Sequence, residues 1–388
     1  ASSFEEANAN WNELFKTARS FSPPIDAYFA PFWLTPLWET TAEDLELSAV
    51  GNWFAFGEIG GTGQVTADAD AKWHDAAVER KIDYWAPVGA HFSVHQDANR
   101  NYVYKGGDFL LPTHYSDLIN LGDRAPEFVE AITLSDWGES TYIGPLHDNN
   151  DPPVETLDTA KYVDNHDHAP FGRLMAYYNH WYKKGSPPEI TSEAIFWWHR
   201  GHPESATPTN DPLPKPDGAT AMTDTIYCVV FVPPGSKASK LVITTGGQAK
   251  EGQAVVEGVN LISTDFSFGK TSVDANGNEL IAGEGQEIID NPEIYDFNYY
   301  AFAVPADVIV SDFLNTGASS SSGSASSTSA AATSTASTST ASQTTSTTGG
   351  ATSSSTSAAP QSTGTDNCIV KAVVSERGIG RLLNIVFF

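Results

Sequence analysis

Phe128-Val-Glu-Ala-Ile-Thr-Leu-Ser-Asp136 runs straight into Trp137-Gly-Glu139-Ser-Thr-Tyr142. The first half is an apolar run of strand length, and the second turns polar around a glycine. A buried parallel strand reads as a continuous apolar run. Working outward, the same grammar repeats over residues 1–150, where helical stretches precede short apolar strands that end in polar or aromatic residues. The expected strands are Ile25–Trp33, Asn52–Glu58, Asp83–Gly89 and Phe128–Asp136, with helices over Ala67–Lys81 and Tyr115–Ala125. A third helix is expected over Pro170–Lys184: Pro170 sits in its first turn, Lys183 and Lys184 in its last, and Gly185 just beyond.

From about Ala194 the pattern changes to strands alone, AIFWWHR, TIYCVVFV, KLVITT and AVVEGVNLI, with a hairpin signal at Asn276-Gly277. That reads as a separate β-sandwich ending near Ala306. Residues 315–365 are almost entirely Ser, Thr, Ala and Gly, too poor in apolar area to offset the entropy of ordering, so a disordered, O-glycosylated stalk is expected. The tail, 366–388, mixes apolar residues with Lys371, Arg377 and Arg381 and receives no role.

Asp136 and Glu139 flank Gly138, and two carboxylates suit glycoside hydrolysis: one protonates the leaving oxygen while the other activates water or attacks the anomeric carbon. Along an extended strand, side chains at i and i+3 point to opposite faces, so the pair can share a substrate only if Gly138 turns the chain. The competing reading is that both merely cap a helix or solvate a loop. Position favours chemistry, since barrel active sites lie at the C-terminal ends of strands. Trp33, Trp38, Trp53, Trp85 and Trp137 crowd the expected strand ends, where rings could stack on sugars or fill the core. Trp137, between the carboxylates, is the strongest sugar-binding candidate among them.

The 388 residues carry a formal charge of -27, which repels nucleic acid and anionic membrane. Two cysteines, Cys228 and Cys368, cannot make a disulfide framework or a zinc pattern. No apolar run of membrane-spanning length occurs. The opening Ala1-Ser-Ser-Phe4 reads as an artificial or processed terminus. His91 and His95, spaced i and i+4 near Asp97, with His166-Asp167-His168, His199 and His202, raise a metal-dependent hydrolase as an alternative. A metalloprotease motif such as HExxH does not accompany them.

The segment resembles the signature of glycoside hydrolase family 71, the fungal α-1,3-glucanases or mutanases, whose corresponding stretch reads close to TWNDYGESHYIGP. Asp136, Gly138, Glu139, Ser140, Tyr142, Ile143, Gly144 and Pro145 agree. The likeness extends from about Trp11 to Ala303 through Pro31, His95, Asn101-Tyr-Val-Tyr-Lys105, Asp108, Asp167-His168, Tyr177-Tyr178 and His202-Pro203. It implies a (β/α)8 barrel followed by a β-sandwich, an inverting cleavage of α-1,3-glucan, no metal or other cofactor, and a secreted or wall-associated monomer.

Carried onto this chain, it makes Glu139 the acid and Asp136 the base, with Trp33, His95, Asp108, Trp137 and Tyr142 touching substrate. Residues 1–188 would be the C-terminal half of the barrel, strands five to eight, and 189–314 the sandwich. Leu134, Ser135 and Thr141 depart from the signature's Trp, Asn and His. With half a barrel, a non-catalytic wall-binding protein is the second alternative.

Overall fold

A computed structural model describes residues 4–33, 44–59, 64–106, 108–144, 160–276, 281–306, 308 and 314–315. Apart from Asn315, the expected stalk and tail lie outside the described residues, as do Trp38, Pro145, Gly277 and Cys368. Helix α1 (Phe4–Arg19) precedes a parallel sheet of four strands in the order β1 (Phe32–Trp33), β2 (Ala49–Asn52), β4 (Asp83–Val88), β7 (Phe128–Ala131). Every pair is parallel, with Gly51 opposite both Phe32 and Trp85, and Val88 opposite Ala131. Helices α2 (Ala67–Glu79) and α3 (Leu110–Asn120) lie in the crossovers, and α4 (Ala160–Val163) and α5 (Ala169–Lys184) follow β7.

The helix boundaries follow local chemistry. Pro170 opens α5, and Gly185 closes it in the left-handed region, its N–H donating to the Trp181 carbonyl at 2.8 Å. One face of the sheet, Val50, Tyr84, Ala86 and Val88, packs on Trp73 and Ala77 of α2, Leu111, Tyr115 and Leu118 of α3, and Phe171, Leu174 and Met175 of α5. Asp70 of α2 binds the Tyr84 hydroxyl and His114 beneath this layer.

Several expected bounds shift, and the strand expected over Phe128–Asp136 ends at Ala131, where the chain folds back into a loop. The ladder takes only Phe32–Trp33 of the expected Ile25–Trp33, because Pro24 and Pro31 offer no N–H. The second strand is Ala49–Asn52, not Asn52–Glu58: small residues are needed where Trp85 crosses, and a Cβ on Gly51 would lie 1.9 Å from its ring. Asn52 then ends the strand, its Oδ1 accepting the Phe54 N–H at 2.8 Å. Helix α3 starts at Leu110 and stops at Asn120, five residues before the expected end. A small sheet in the order β3 (Glu58–Ile59), β6 (Asn101–Lys105), β5 (Phe92–His95) joins the segment after β2 to a β5–β6 hairpin between β4 and α3 that was not expected.

Strands β9 (Ala194–Arg200), β10 (Thr225–Val232) and β11 (Lys240–Thr245) match the expected segments residue for residue, whereas AVVEGVNLI splits into β13 (Gln253–Ala254) and β14 (Gly258–Asp265). An antiparallel sheet β14-β10-β9-β17 (Tyr299–Val304) faces a second one, β12 (Gln248–Ala249), β11, β15 (Ser272–Ala275), β16 (Ala282–Glu284), across Ile195, Trp197, Cys228, Val230, Leu241, Ile243 and Val273. Its opposite face, Phe196, Trp198, Tyr227, Val229 and Phe231, joins the core under α5. Burial on both faces is why β9 and β10 read as unbroken apolar runs. The short strands β8 (Glu189–Ile190) and β18 (Leu314–Asn315) pair with each other. The fold is thus mixed α/β, and its apolar core is continuous from the parallel sheet to the antiparallel one. Among the described residues, no helix is long and apolar enough to cross a membrane.

Candidate active site

Beyond Ala131 the chain folds back on itself. Thr133 N–H donates to the Thr141 carbonyl and Ile143 N–H to the Thr133 carbonyl, both at 2.9 Å, so residues 133–144 form a closed loop at the C-terminal end of β7. Thr141, where the signature has His, is buried with its hydroxyl 3.0 Å from that of Thr133, and the pair ties the neck of the loop. At the tip, residues 137–140 turn.

The turn is not made by a left-handed Gly138. The left-handed residue is Ser140, at φ 58°. Gly138 is small for a different reason: Gln96 donates its amide to the Gly138 carbonyl at 3.1 Å, and a Cβ would lie 2.7 Å from that nitrogen. Asp136 accepts the Glu139 N–H at 3.0 Å, so it braces the turn in the same atoms as the candidate chemistry, and no helix follows over residues 140–144 for either carboxylate to cap.

Both carboxylates are half-buried. Burial raises Glu139 to about 7, the neighbouring Asp136 charge adds to the rise, and Arg100 opposes it. Burial also raises Asp136, but the backbone N–H groups of Glu139 and Gly138 and the Arg100 charge favour its ionised form. Arg100 Nη2 sits 2.6 Å from Glu139 Oε1. The geometry thus separates the two groups: one carboxylate has main-chain donors for its charge, the other is the better proton holder.

The β5–β6 hairpin clamps this turn. Ser93 N–H donates to the Glu139 carbonyl at 3.0 Å, and Ser93 Oγ bonds Ser140 Oγ at 3.1 Å. Gln96 and Arg100 reach over from the hairpin's tip. On its far side, Val103 N–H donates to the Asp217 carbonyl at 2.8 Å, and Asp217 N–H to the Asn101 carbonyl at 3.0 Å. His95 joins the same brace, with Nδ1 2.5 Å from Asn101 Oδ1 and Nε2 2.9 Å from Asp211 Oδ2.

The other candidates are spread out. Trp137 is 8% exposed and packs with Tyr142 and Val163. Tyr142 is fully buried; its hydroxyl donates to the His166 carbonyl at 2.5 Å and its ring stacks on His168 at 4.0 Å, so it ties the loop to the core. Asp108 accepts from Lys105 at 3.0 Å and from the Tyr227 hydroxyl at 2.8 Å; burial works against its charge, yet these donors hold it below the usual carboxylate range. Trp33 is half-buried against the small cluster of Phe15 and Leu45.

The histidines have separate partners. His91 faces the Tyr299 ring at 4.3 Å, His95 faces Asp211, and His166 Nε2 lies 3.2 Å from Asp296. Among the described residues no three His, Cys, Asp or Glu are placed to hold a metal. Sequence reasoning gave no role to Ser93, Gln96, Arg100, Tyr102, Tyr104 and Asp211; the period-2 run Asn101-Tyr-Val-Tyr-Lys105 was the available sign of the hairpin that gathers most of them.

Comparison with known proteins adds ancestry to this geometry. A glucan endo-1,3-alpha-glucosidase of Schizosaccharomyces pombe is 29% identical over 307 residues, covering 76% of this chain and 67% of that protein. A mutanase of Penicillium rubens is 26% identical over 309 residues, 77% of this chain and 65% of that one. An ascus wall endo-1,3-alpha-glucanase of S. pombe is 27% identical over 310 residues, 75% and 69% of the two chains. The chain spans about two thirds of the length of these relatives. The model of glycosyl hydrolase family 71 matches residues 1–313, which include the whole 133–144 loop and its hairpin clamp, and the chain belongs to that family.

Proposed function

We propose that this chain carries the acid and base of an inverting α-1,3-glucanase, with Glu139 the acid and Asp136 the base. The observation that carries the reading is the asymmetry of the pair on one turn: burial and the Asp136 charge raise Glu139 to about 7, while main-chain donors stabilise charge on Asp136. In an inverting step Glu139 gives its proton to the departing glycosidic oxygen as that bond breaks. Asp136 takes a proton from a water that attacks the anomeric carbon from the opposite face. The substrate follows from the relatives, which are named for α-1,3-glucan.

Four parallel strands with helices on one face fit the C-terminal half of a (β/α)8 barrel over residues 1–188, and the two facing antiparallel sheets fit a β-sandwich over 189–314. Loops from all eight strands line the cleft of such a barrel. Its place of work would be outside the cell or on a fungal wall, as a monomer. Reducing-sugar release from insoluble α-1,3-glucan tests the reading, both with the chain itself and with the chain joined to the N-terminal region of a relative. Release that disappears in Glu139→Gln supports it. No release in either form, or release that survives Glu139→Gln, overturns it.

A further inference from the structure

Two tyrosine rings beside the acid have no task in the mechanism above. β6 alternates its side chains, so Tyr102 and Tyr104 share a face, and both are half-buried. Phe92 backs them, its ring 5.7 Å from Tyr102 at an interplanar angle of 11° and 4.5 Å from Tyr104. Phe92 is itself 3% exposed, held by Ala55, Phe56 and Ile132. The hairpin that bears them is bonded to the acid's own residue, through Ser93 N–H on the Glu139 carbonyl at 3.0 Å and Arg100 on its carboxylate at 2.6 Å, and the charge of Glu139 adds to the burial that raises both phenols.

A half-buried tyrosine hydroxyl ordinarily finds a partner. Among the described residues, neither of these has a hydrogen bond, although the rest of the hairpin is tied on both sides. Rigid backing, partly open rings and free hydroxyls next to a glycosidic acid are what a pyranose requires: an axial C–H face to lay on a ring and hydroxyls to bond.

We propose that Tyr102 and Tyr104 form a pyranose-binding subsite beside Glu139, taking one glucosyl unit of the polysaccharide by ring stacking. The identity of that sugar rests on the α-1,3-glucan reading above. The platform is preorganised, because the hairpin that bears it is bonded to the catalytic turn through Ser93 and to the 211–217 segment through Val103 and His95.

Calorimetric titration of a soluble α-1,3-linked gluco-oligosaccharide into the full chain, in a Glu139→Gln background that prevents turnover, tests the subsite. Tyr102→Leu and Tyr104→Leu should each weaken binding about 2- to 12-fold with little change in melting temperature, the size expected for losing one ring contact. Tyr102→Phe and Tyr104→Phe, which keep the ring, should stay much closer to the parent. Leu variants that bind like the parent overturn the proposal, as does a parent that binds no such oligosaccharide. Binding loss with an equal loss of melting temperature in the Leu and Phe variants alike also overturns it, by showing a packing role. Turnover by otherwise wild-type chain that survives Glu139→Gln would remove the acid assignment, while ring-dependent binding would still uphold the subsite.

Discussion

Glu130 and Glu139 lie nine residues apart on one segment, and burial raises both to about 7. Otherwise they differ throughout. Glu130, in β7, is 2% exposed, and its Oε1 has no hydrogen-bond partner. The Glu139 side chain is 21% exposed, faces Arg100 at 2.6 Å, and shares a turn with Asp136. A raised carboxyl is therefore not a site in itself. What marks Glu139 is access, a second carboxylate with its own donors, and a cation that can respond to its charge. Glu130 shows the cost of a buried acid without those features.

The largest effects should fall on the reachable pair. Glu139→Gln and Asp136→Asn should each lower turnover of α-1,3-glucan by about 10²- to 10⁴-fold, the usual share of a general acid or base, with melting nearly unchanged. Glu130→Gln should leave turnover within about 2-fold. A Glu130 variant as crippled as the Glu139 one would erase the distinction.

The pH profile sharpens it. The acid works only while protonated, so turnover should fall as pH rises through the Glu139 value of about 7. Arg100 opposes that value, and so Arg100→Gln should move the alkaline limb upward, by about one unit for loss of a partly exposed opposite charge. Tyr102 and Tyr104 of β6 and Asp136 of the turn also face Glu139 and stay in place in this variant. An unmoved limb would mean that Arg100 does not govern the proton.

Glu130 should instead be visible in stability. Its folded value lies above the unfolded one, about 4.3, so the folded chain loses stability as pH rises from there through about 7. Glu130→Gln removes that loss, and should raise stability by about 1–3 kcal/mol at pH 8 and by nearly nothing at pH 4. The buried histidines act in the opposite sense. Burial lowers His91 to about 3 and His199 to about 4, so their contribution is full above the unfolded value of about 6.5 and is lost as pH falls. The Glu130→Gln chain should therefore lose stability on acidification more steeply than the wild type. Urea midpoints at pH 8, 6 and 4 measure all of this.

Much of the antiparallel half was legible because β9 and β10 are buried on both faces and leave no polar break in AIFWWHR or TIYCVVFV. The parallel half was legible in order but not in extent. Ala49-Val-Gly-Asn52 carries little strand signal, since the sheet needs small residues where Trp85 crosses Gly51, and the aromatic run after it belongs to a turn. At the site, the carboxylates were visible as local chemistry. Arg100, Gln96 and the tyrosines were not, because their role comes from a hairpin folding over a turn about forty residues away, and no local pattern encodes that contact.

Gly138 should matter far less than the carboxylate pair, although the sequence alone made it central. A left-handed glycine in that turn would resist any side chain, but the left-handed residue is Ser140. A Cβ at Gly138 meets only the end of the Gln96 side chain, at 2.7 Å, and has Asp136 Oδ1 at 3.5 Å. Gln96 can swing aside at the cost of its bond to the Gly138 carbonyl, about 1 kcal/mol for one hydrogen bond at a partly exposed position. Gly138→Ala should therefore cost about 1 kcal/mol in unfolding free energy and leave the carboxylate pair able to work, with turnover lowered about 10-fold or less. Gly51→Ala is the reference for a glycine with no such escape, since its Cβ would sit inside the rigid, buried Trp85 ring, and that variant should fail to accumulate as folded protein. If Gly138→Ala instead abolished turnover as completely as Glu139→Gln, the position of Gln96 over the turn would have to be part of the active geometry, and the clamp, rather than the carboxylate pair alone, would set the rate.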